Sequence, residues 1–166
     1  VVRLVGSEMC IRDSNISKDI NIIKIFWKKL GSKVEIMTPS RHDRVMAITS
    51  HLPHLIAYNI VSTAADLENI TRSDVIKYSA SGFRDFTRIA SSDPTMWRDV
   101  FLSNKDAVLE MISRFSEDLS VLQKAIRWDD GESLYKLFSK TKKVREKIIK
   151  AGQDTTDADF GRSKRK

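Results

Sequence analysis

Three histidines are the side chains in this sequence with the clearest capacity for metal or acid–base chemistry. His42, His51 and His54 fall within 13 residues, and the spacing of His51 and His54 places both rings on one face of a helix. Two imidazoles in that arrangement can bind a metal ion, yet no cysteine or third histidine stands close enough in sequence to complete the site. Partly buried histidines with local hydrogen-bond partners are the commoner alternative, so we predict no metal site.

A second group of polar and aromatic side chains lies in residues 82–88 (GFRDFTR) and 92–98 (SDPTMWR). Asp85 and Arg88 are three residues apart, a spacing typical of a surface ion pair that contributes little stability. The aromatic residues, Trp97 among them, are suited to a core. A guanidinium held among aromatic rings and away from bulk water can instead bind a carboxylate through two hydrogen bonds. Arg88 is therefore a candidate anion-binding residue, and the surface ion pair remains the alternative.

A helix and a strand open the regular part of the sequence. Ser17 is suited to cap a helix that Gly31 ends, and residues 33–37 alternate as a strand does. One helix and one strand cannot bury a sheet by themselves. We therefore predict that residues 15–39 are the C-terminal end of an α/β domain.

A long helix should carry the histidines. Residues 38–43 (TPSRHD) fit a helix start in which Ser40 and Asp43 form a capping box, and an apolar pattern with helical spacing follows. Pro53 removes one backbone donor inside this helix. The sequence therefore predicts a kink near residues 49–54.

Three further helices are predicted in the second half of the chain. Asp93 and Pro94 begin one, a longer helix begins near Asn104, and a last helix follows a turn at residues 129–131 and ends at Gly152. The apolar residues of the longer helix recur at alternating intervals of four and three: Val108, Ile112, Phe115, Leu119, Leu122 and Ile126. Such a narrow seam is typical of a helix that packs against a partner helix.

Composition indicates an ordinary globular protein of 166 residues, with 41% hydrophobic and 31% charged side chains. No apolar run approaches the length of a membrane span, so we expect a cytoplasmic protein with no membrane partner. The single cysteine, Cys10, cannot form an internal disulfide. Residues 1–14 follow no period and resemble translated adapter sequence. We therefore predict that they are non-native or disordered and exclude them from the fold.

The net charge of +7 is concentrated at the C-terminus. Residues 140–166 hold ten Lys or Arg and four Asp or Glu, a net charge of +6. A nucleic-acid interface would need its basic residues clustered with a binding motif, whereas one solvated helix face and a tail explain this distribution. We expect no nucleic-acid partner and a disordered basic tail over residues 153–166.

These segments together resemble the prephenate and arogenate dehydrogenases. The resemblance rests on residues 50–54 (SHLPH) inside a helix, followed about thirty residues later by 82–90 (GFRDFTRIA) and 92–97 (SDPTMW). It covers about residues 16–126 in long, ungapped motifs. Earlier positions are similar to the end of that family's nucleotide-binding domain: Phe26, Trp27, Gly31, Val34, Met37, Pro39, His42 and Asp43.

The family implies an N-terminal Rossmann domain that binds NAD or NADP and a C-terminal helical domain that forms a homodimer, with the active site between them. The expected fold class is all-α: a helical dimerisation and substrate domain over residues 40–152, preceded by a helix–strand remnant of the Rossmann domain over 15–39. The expected reaction is oxidative decarboxylation of prephenate or arogenate in tyrosine biosynthesis. Hydride leaves the ring carbon that bears the hydroxyl, a histidine takes the hydroxyl proton, and carbon dioxide departs as the ring becomes aromatic.

The resemblance also implies roles for particular residues. The substrate-binding residues would be Ser50, His51, His54, Asp85, Arg88 and Trp97. Arg88 would hold a substrate carboxylate, with Asp85 orienting the guanidinium. Trp97 would help to close the pocket, from the same subunit or from the other one. Because prephenate is a dianion, a fixed cation beside aromatic rings suits the carboxylate that remains after decarboxylation.

The cofactor fingerprint is missing from the chain. Its six glycines, spread from position 6 to position 161, allow no G-x-G-x-x-G motif. We therefore expect the cofactor site and the family's catalytic histidine upstream, with no catalytic base here and no turnover by this chain alone. A non-catalytic helical interaction module on the same scaffold is the alternative, and it has no need of a carboxylate pocket. The choices between prephenate and arogenate, and between NAD and NADP, stay open.

Overall fold

In the computed structural model, the described residues that follow position 38 form helices joined by short turns. The residues that it describes are 8–12, 17–71, 77–78 and 80–151. The chain divides into two compact units, Val1–Ser113 and Arg114–Lys166. The predicted all-α class is confirmed by this succession of helices. The tail over residues 153–166, for which we predicted disorder, lies outside the described residues.

A small parallel sheet stands at the start of the first unit. Strands β1 (Glu8–Arg12) and β2 (Lys33–Met37) pair in parallel along their full lengths. Helix α1 (Ser17–Lys29) provides the crossover that a parallel pair needs. Strand β1 lies in the segment that the sequence prediction excluded from the fold. The described segment that precedes the later helices is therefore a strand, a helix and a strand, rather than one helix and one strand.

Helix α1 ends at a glycine with a left-handed backbone, as predicted. Gly31 has a φ of +84°. Its N–H donates to the carbonyl of Lys28 at 3.0 Å, and the N–H of Ser32 donates to the carbonyl of Trp27 at 3.0 Å. These two bonds form a Schellman motif, which satisfies the last carbonyls of α1 and turns the chain toward β2.

The segment that carries the histidines is continuously helical but changes its winding before Pro53. Helix α2 (Pro39–Met46) passes into a π-helical turn (Ala47–His51) and then into α3 (Leu52–Thr71). A proline has no N–H to donate, and its ring presses on the carbonyl four residues earlier. The wider π turn accommodates both effects. A kink was predicted near residues 49–54, and the irregularity that the structure shows beside this place is a π turn over Ala47–His51.

Thr38, rather than Ser40, caps α2. The Oγ1 of Thr38 accepts from the N–H of Arg41 at 3.4 Å. The capping box predicted for Ser40 and Asp43 is therefore wrong, because Pro39 already occupies the first helical position and the cap must stand directly before it. The carboxylate of Asp43 instead lies 3.0 Å from the ring of its neighbour His42.

The starts of the last three helices were predicted, whereas the helix over Ser81–Thr87 and the 3₁₀ turn after it were not. The later elements are α4 (Ser81–Thr87), a 3₁₀ turn (Arg88–Ser91), α5 (Pro94–Ser103), α6 (Lys105–Arg127) and α7 (Gly131–Lys150). Asp93 caps α5, since its Oδ1 accepts from the N–H of Met96 at 2.8 Å. Asp130 caps α7 in the same way, with its Oδ1 accepting from the N–H of Ser133 at 3.0 Å. Both caps use the short acidic side chains that sequence signals identify well.

The buried apolar core is small and surrounds the histidine segment. Among the described residues its members are Ala47, Leu52, Ala57, Trp97 and Val108. They come from the π turn, α3, α5 and α6, all within the first unit. No described side chain of the second unit is buried in the single chain. The packing of the first unit is therefore centred on the residues for which function was predicted.

Candidate functional site

Both histidines predicted to share a helix face contact the same tryptophan. The ring of His54 stacks on Trp97 with centroids 3.7 Å apart and planes 24° apart. The ring of His51 meets Trp97 edge to face, with centroids 6.2 Å apart. Phe101, one turn beyond Trp97 on α5, also contacts His51 edge to face at 6.4 Å. We call His51, His54, Trp97 and Phe101 the ring cluster.

Local features of the chain position the ring cluster. His51 is the last residue of the π turn, and His54 lies in the first turn of α3. Pro53 therefore sits between the two histidines, at the place where the winding changes. Trp97 lies one turn into α5, which the cap of Asp93 starts at a defined residue.

Hydrogen bonds fix the orientation of both imidazole rings. Nδ1 of His54 lies 2.8 Å from the backbone carbonyl of Ser50. Nδ1 of His51 lies 3.2 Å from Nδ2 of Asn104. The same Asn104 nitrogen donates to the backbone carbonyl of Asp43 at 2.8 Å. Ser50 is thus part of the site through its main chain rather than its hydroxyl.

The surroundings of His51 favour its neutral form. Burial lowers the pKa of His51 below its ordinary value of 6.5, and the nearby rings of His42 and His54 lower it further. The carboxylate of Asp43 acts in the opposite direction and does not compensate. Burial and like charges both disfavour an imidazolium at this position. His51 is consequently suited to hydrogen bonding as a neutral ring.

Arg88 and Asp85 lie on elements that pack beside α3, outside the ring cluster. Arg88 begins the 3₁₀ turn, which contacts α3. The hydroxyl of Tyr58 on α3 donates to the carbonyl of Ser92, the residue that follows this turn, at 2.8 Å. Tyr58 lies one turn after His54 on α3. Asp85 is half-buried on α4. The 3₁₀ turn over Arg88–Ser91, which we call the Arg88 turn, therefore packs against the same helix that carries His54.

The expected shielding of Arg88 from solvent is not found in this chain. Its side chain is exposed, and the nearby aromatic Phe86 is 42% exposed. The apolar residues near Arg88 in the sequence predicted an apolar environment. However, α4 is a short helix, and its residue Phe86 is partly exposed to solvent. Within the part of the chain that the structure describes, no ring contact or hydrogen bond joins Arg88 directly to the ring cluster.

Asn104 and Tyr58 are the site residues that sequence reasoning missed. Asn104 was recognised only as a helix start, and its hydrogen-bond partners Asp43 and His51 are 61 and 53 residues away. The partner of Tyr58 is 34 residues away. No local pattern signals such long-range contacts. The sequence feature that comes closest to indicating a role for Tyr58 is its position one turn after His54 on the same helix face.

A polar cleft opens beside Asn104. It has a volume of about 650 Å³ and lies between the start of α2 and the junction of α5 and α6. Arg44 and Glu110, two of its lining residues, face each other at 3.7 Å. The lining residues are Pro39, Ser40, Asp43, Arg44, Leu102, Ser103, Asn104, Lys105, Asp106, Ala107 and Glu110. Acidic and basic side chains both line this cleft, so it offers no simple anion site.

In the described ranges, no group of three His, Cys, Asp or Glu residues is placed to hold a metal ion. None of the helices described is long and apolar enough to span a membrane.

The family model described as "Prephenate dehydrogenase, dimerization domain" matches residues 38–140. This chain belongs to the prephenate dehydrogenase family. The resemblance noted from the SHLPH and GFRDFTRIA segments is thereby confirmed, and the matched range contains the whole ring cluster as well as Arg88.

Individual members of the prephenate dehydrogenase family are similar to this chain over most of its length. A cyclohexadienyl dehydrogenase of Zymomonas mobilis is 39% identical over 126 residues, which are 76% of this chain and 43% of the relative. A prephenate dehydrogenase of Bacillus subtilis is 37% identical over 110 residues, 66% of this chain and 29% of the relative. The chain thus spans less than half the length of either.

A solved structure of the family shares the fold. The prephenate dehydrogenase from A. aeolicus, crystallised in complex with hydroxyphenyl propionate and NAD+, superposes with a TM-score of 0.79 at 36% identity. The superposition covers 86% of this chain and 50% of that chain. This chain therefore shares the fold of about half of that protein.

The lowered pKa of His51 predicts how stability depends on pH. The folded chain binds the His51 proton less tightly than the unfolded chain does, so unfolding takes up a proton at a pH between the folded pKa and 6.5. The contribution of the neutral His51 ring to the free energy of unfolding is fully present above pH 6.5. It is lost as the pH falls from 6.5 through the pKa of His51 in the folded chain. We expect the melting temperature to fall between about pH 7.5 and about pH 5.5.

The matched control for this pH effect is His51→Gln, which removes the titrating ring. The decrease in melting temperature over the same pH interval should be smaller in His51→Gln than in the unsubstituted chain. Equal decreases in the two proteins would show that His51 is not the group responsible.

Proposed function

We propose that this chain is the helical substrate-binding and dimerisation part of a prephenate or arogenate dehydrogenase, an enzyme of NAD- or NADP-dependent oxidative decarboxylation in tyrosine biosynthesis. The observation that carries the proposal is the ring cluster. It places two histidines against a buried tryptophan within the range that matches the family. The relative from A. aeolicus was crystallised with hydroxyphenyl propionate, an aromatic carboxylate.

The ring cluster offers what a cyclic dicarboxylate requires. The indole of Trp97 and the ring of Phe101 give a low-polarity surface in which hydrogen bonds and charge contacts strengthen. His51 and His54 add ring nitrogens to that surface for polar groups of the substrate. Ser50 contributes by holding the ring of His54 through its carbonyl.

Arg88 is the proposed partner of a substrate carboxylate, with Asp85 as the residue that orients it. The exposure of Arg88 in this chain is compatible with such a role, because the other half of the enzyme and the substrate would cover it. A guanidinium meets a carboxylate with two parallel hydrogen bonds, an arrangement that lysine cannot reproduce.

The described residues of this chain do not fit the dinucleotide cofactor. Its described glycines are Gly31, at the end of α1, Gly82, within α4, and Gly131, at the start of α7. None forms part of a glycine-rich loop between a strand and a helix, which a pyrophosphate requires. We therefore assign cofactor binding and the catalytic base to residues outside this chain, and expect no turnover by this chain alone.

Replacement of Arg88 tests the carboxylate assignment in the complete enzyme. Arg88→Ala should lower kcat/KM by a factor corresponding to about 2–4 kcal/mol, the scale of losing one charge contact in a closed site. Arg88→Lys should recover only part of that loss. Because Arg88 is exposed, the melting temperature should hardly change.

The matched control is Arg84→Ala, which removes an exposed arginine one turn earlier on α4. It should leave kcat/KM nearly unaltered. Equal losses for Arg84→Ala and Arg88→Ala, or an Arg88→Ala enzyme with unchanged KM and kcat, would refute the assignment of the carboxylate to Arg88.

The apolar surface of the second unit supports homodimer formation. The exposed fractions of the Leu119, Ile126 and Phe138 side chains are 52%, 64% and 56%. An open groove of about 590 Å³ lies among these residues of α6 and α7. An apolar surface of this kind on a monomer marks an interaction site. We assign it to the interface with a second copy.

Dimerisation can be measured by sedimentation of the chain. We expect a dimer at about ten micromolar and above, as for an obligate interface. Replacing Phe115 and Leu119 by serine should give monomers or aggregates, because both lie on the predicted seam of α6. Glu117→Ala, on the opposite side of α6, is the control and should remain dimeric. A strictly monomeric unsubstituted chain would contradict the proposal.

A further inference from the structure

Asn104 joins three separate elements through one side-chain nitrogen. It stands between α5 and α6, with its amide nitrogen 2.8 Å from the backbone carbonyl of Asp43 on α2. The same nitrogen lies 3.2 Å from Nδ1 of His51 in the π turn. Neither sequence pattern nor family membership assigned a role to Asn104.

The chemistry of the partners determines which atoms carry hydrogen. A backbone carbonyl can only accept, so the atom of Asn104 that meets Asp43 must be the amide nitrogen. That nitrogen has two hydrogens, and the second is available to Nδ1 of His51. The Nδ1 atom must then offer a lone pair, because an N–H in its place would face another N–H. A neutral imidazole with no hydrogen on Nδ1 carries its proton on Nε2.

We propose that Asn104 is a positioning residue that holds His51 as a neutral ring with its proton on Nε2. The consequence for catalysis rests on the proposed function: His51 would meet an oxygen of the substrate as a hydrogen-bond donor and not as a proton acceptor. A ring locked in one tautomer needs no reorganisation when the substrate binds, which is the usual advantage of a preorganised donor.

His54 is fixed in the opposite sense. Its Nδ1 must carry a proton, because the partner of that atom is the carbonyl of Ser50. In its neutral form His54 therefore has a lone pair on Nε2, where His51 has an N–H. The two histidines, three residues apart, differ in hydrogen-bond character although they are chemically identical. A substrate group that both donates and accepts, such as a hydroxyl, is complementary to that pair.

The groups around His51 support this state. From α2 it faces His42 and Asp43, from α3 it faces His54, and from α5 it contacts the rings of Trp97 and Phe101. Burial and the two histidines oppose a positive charge on His51, and only Asp43 favours one. Protonation of Nδ1 would also break the hydrogen bond from Asn104. Geometry and electrostatics thus favour the same neutral tautomer.

The tautomer of His51 can be read directly by NMR. In the 15N-labelled chain, long-range correlations between ring nitrogens and ring carbon-bound protons distinguish protonated from unprotonated Nδ1 and Nε2. The chain has only three histidines, so single His42→Asn and His54→Asn variants assign the signals. At about pH 7.5 we expect an unprotonated Nδ1 and a protonated Nε2 on His51. A protonated Nδ1, a cationic ring or an even mixture of tautomers would overturn the proposal.

Asn104→Asp reverses the hydrogen-bond character of the bridge and is the sharpest variant. A carboxylate at this position should place the proton on Nδ1 of His51 and raise its pKa by about one unit or more. The control is Asn59→Asp, which adds the same charge at an exposed position of α3 and should shift the pKa by less than about half a unit because solvent screens it. An unchanged His51 tautomer in folded Asn104→Asp would also overturn the proposal.

Asn104→Ala serves if the aspartate variant does not fold. Loss of the donor should give a mixture of His51 tautomers, whereas an unchanged single Nε2–H tautomer would show that Asn104 does not set it. These measurements need no enzyme activity. A complete enzyme that failed to oxidise prephenate or arogenate would refute the proposed function and leave the tautomer result standing.

Discussion

The burial of Trp97 against two histidine rings is the contact on which the first unit depends. Trp97 is the only aromatic side chain among the buried residues described. Its indole N–H is also buried and, within the described residues, has no hydrogen-bond partner, which typically costs about 1–3 kcal/mol. Ring contacts must therefore hold the tryptophan in place. A change in the winding around Pro53 would move His51 and His54 relative to each other and disturb those contacts.

Local signals made much of this fold predictable from the sequence. Asp93 and Pro94 started α5 as expected, and Gly31 ended α1, because caps and left-handed glycines depend on neighbouring residues alone. Pro53 predicted an irregularity in the long helix, because proline lacks a backbone N–H donor. The choice of a π turn was not predictable, because it depends on how the histidine segment packs against α5 and α6.

The candidate site was only partly predictable, for a related reason. The pairing of His51 and His54 on one face follows from their spacing, and Trp97 was expected at the same pocket from the family motifs. Asn104 escaped notice because its partners lie more than fifty residues away. The environment of Arg88 was mispredicted for this chain, since apolar neighbours in sequence do not guarantee burial when the element is a short surface helix.

A crystal structure of the complete enzyme with hydroxyphenyl propionate bound would test the proposed substrate site most directly. The central claim is that the ring cluster and the Arg88 turn together form the substrate site. We predict the aromatic ring of the ligand beside Trp97. We also predict a ligand oxygen within hydrogen-bond distance of Nε2 of His51 or His54, and the carboxylate on Arg88. A ligand bound away from the ring cluster, or with its carboxylate away from Arg88, would contradict this claim.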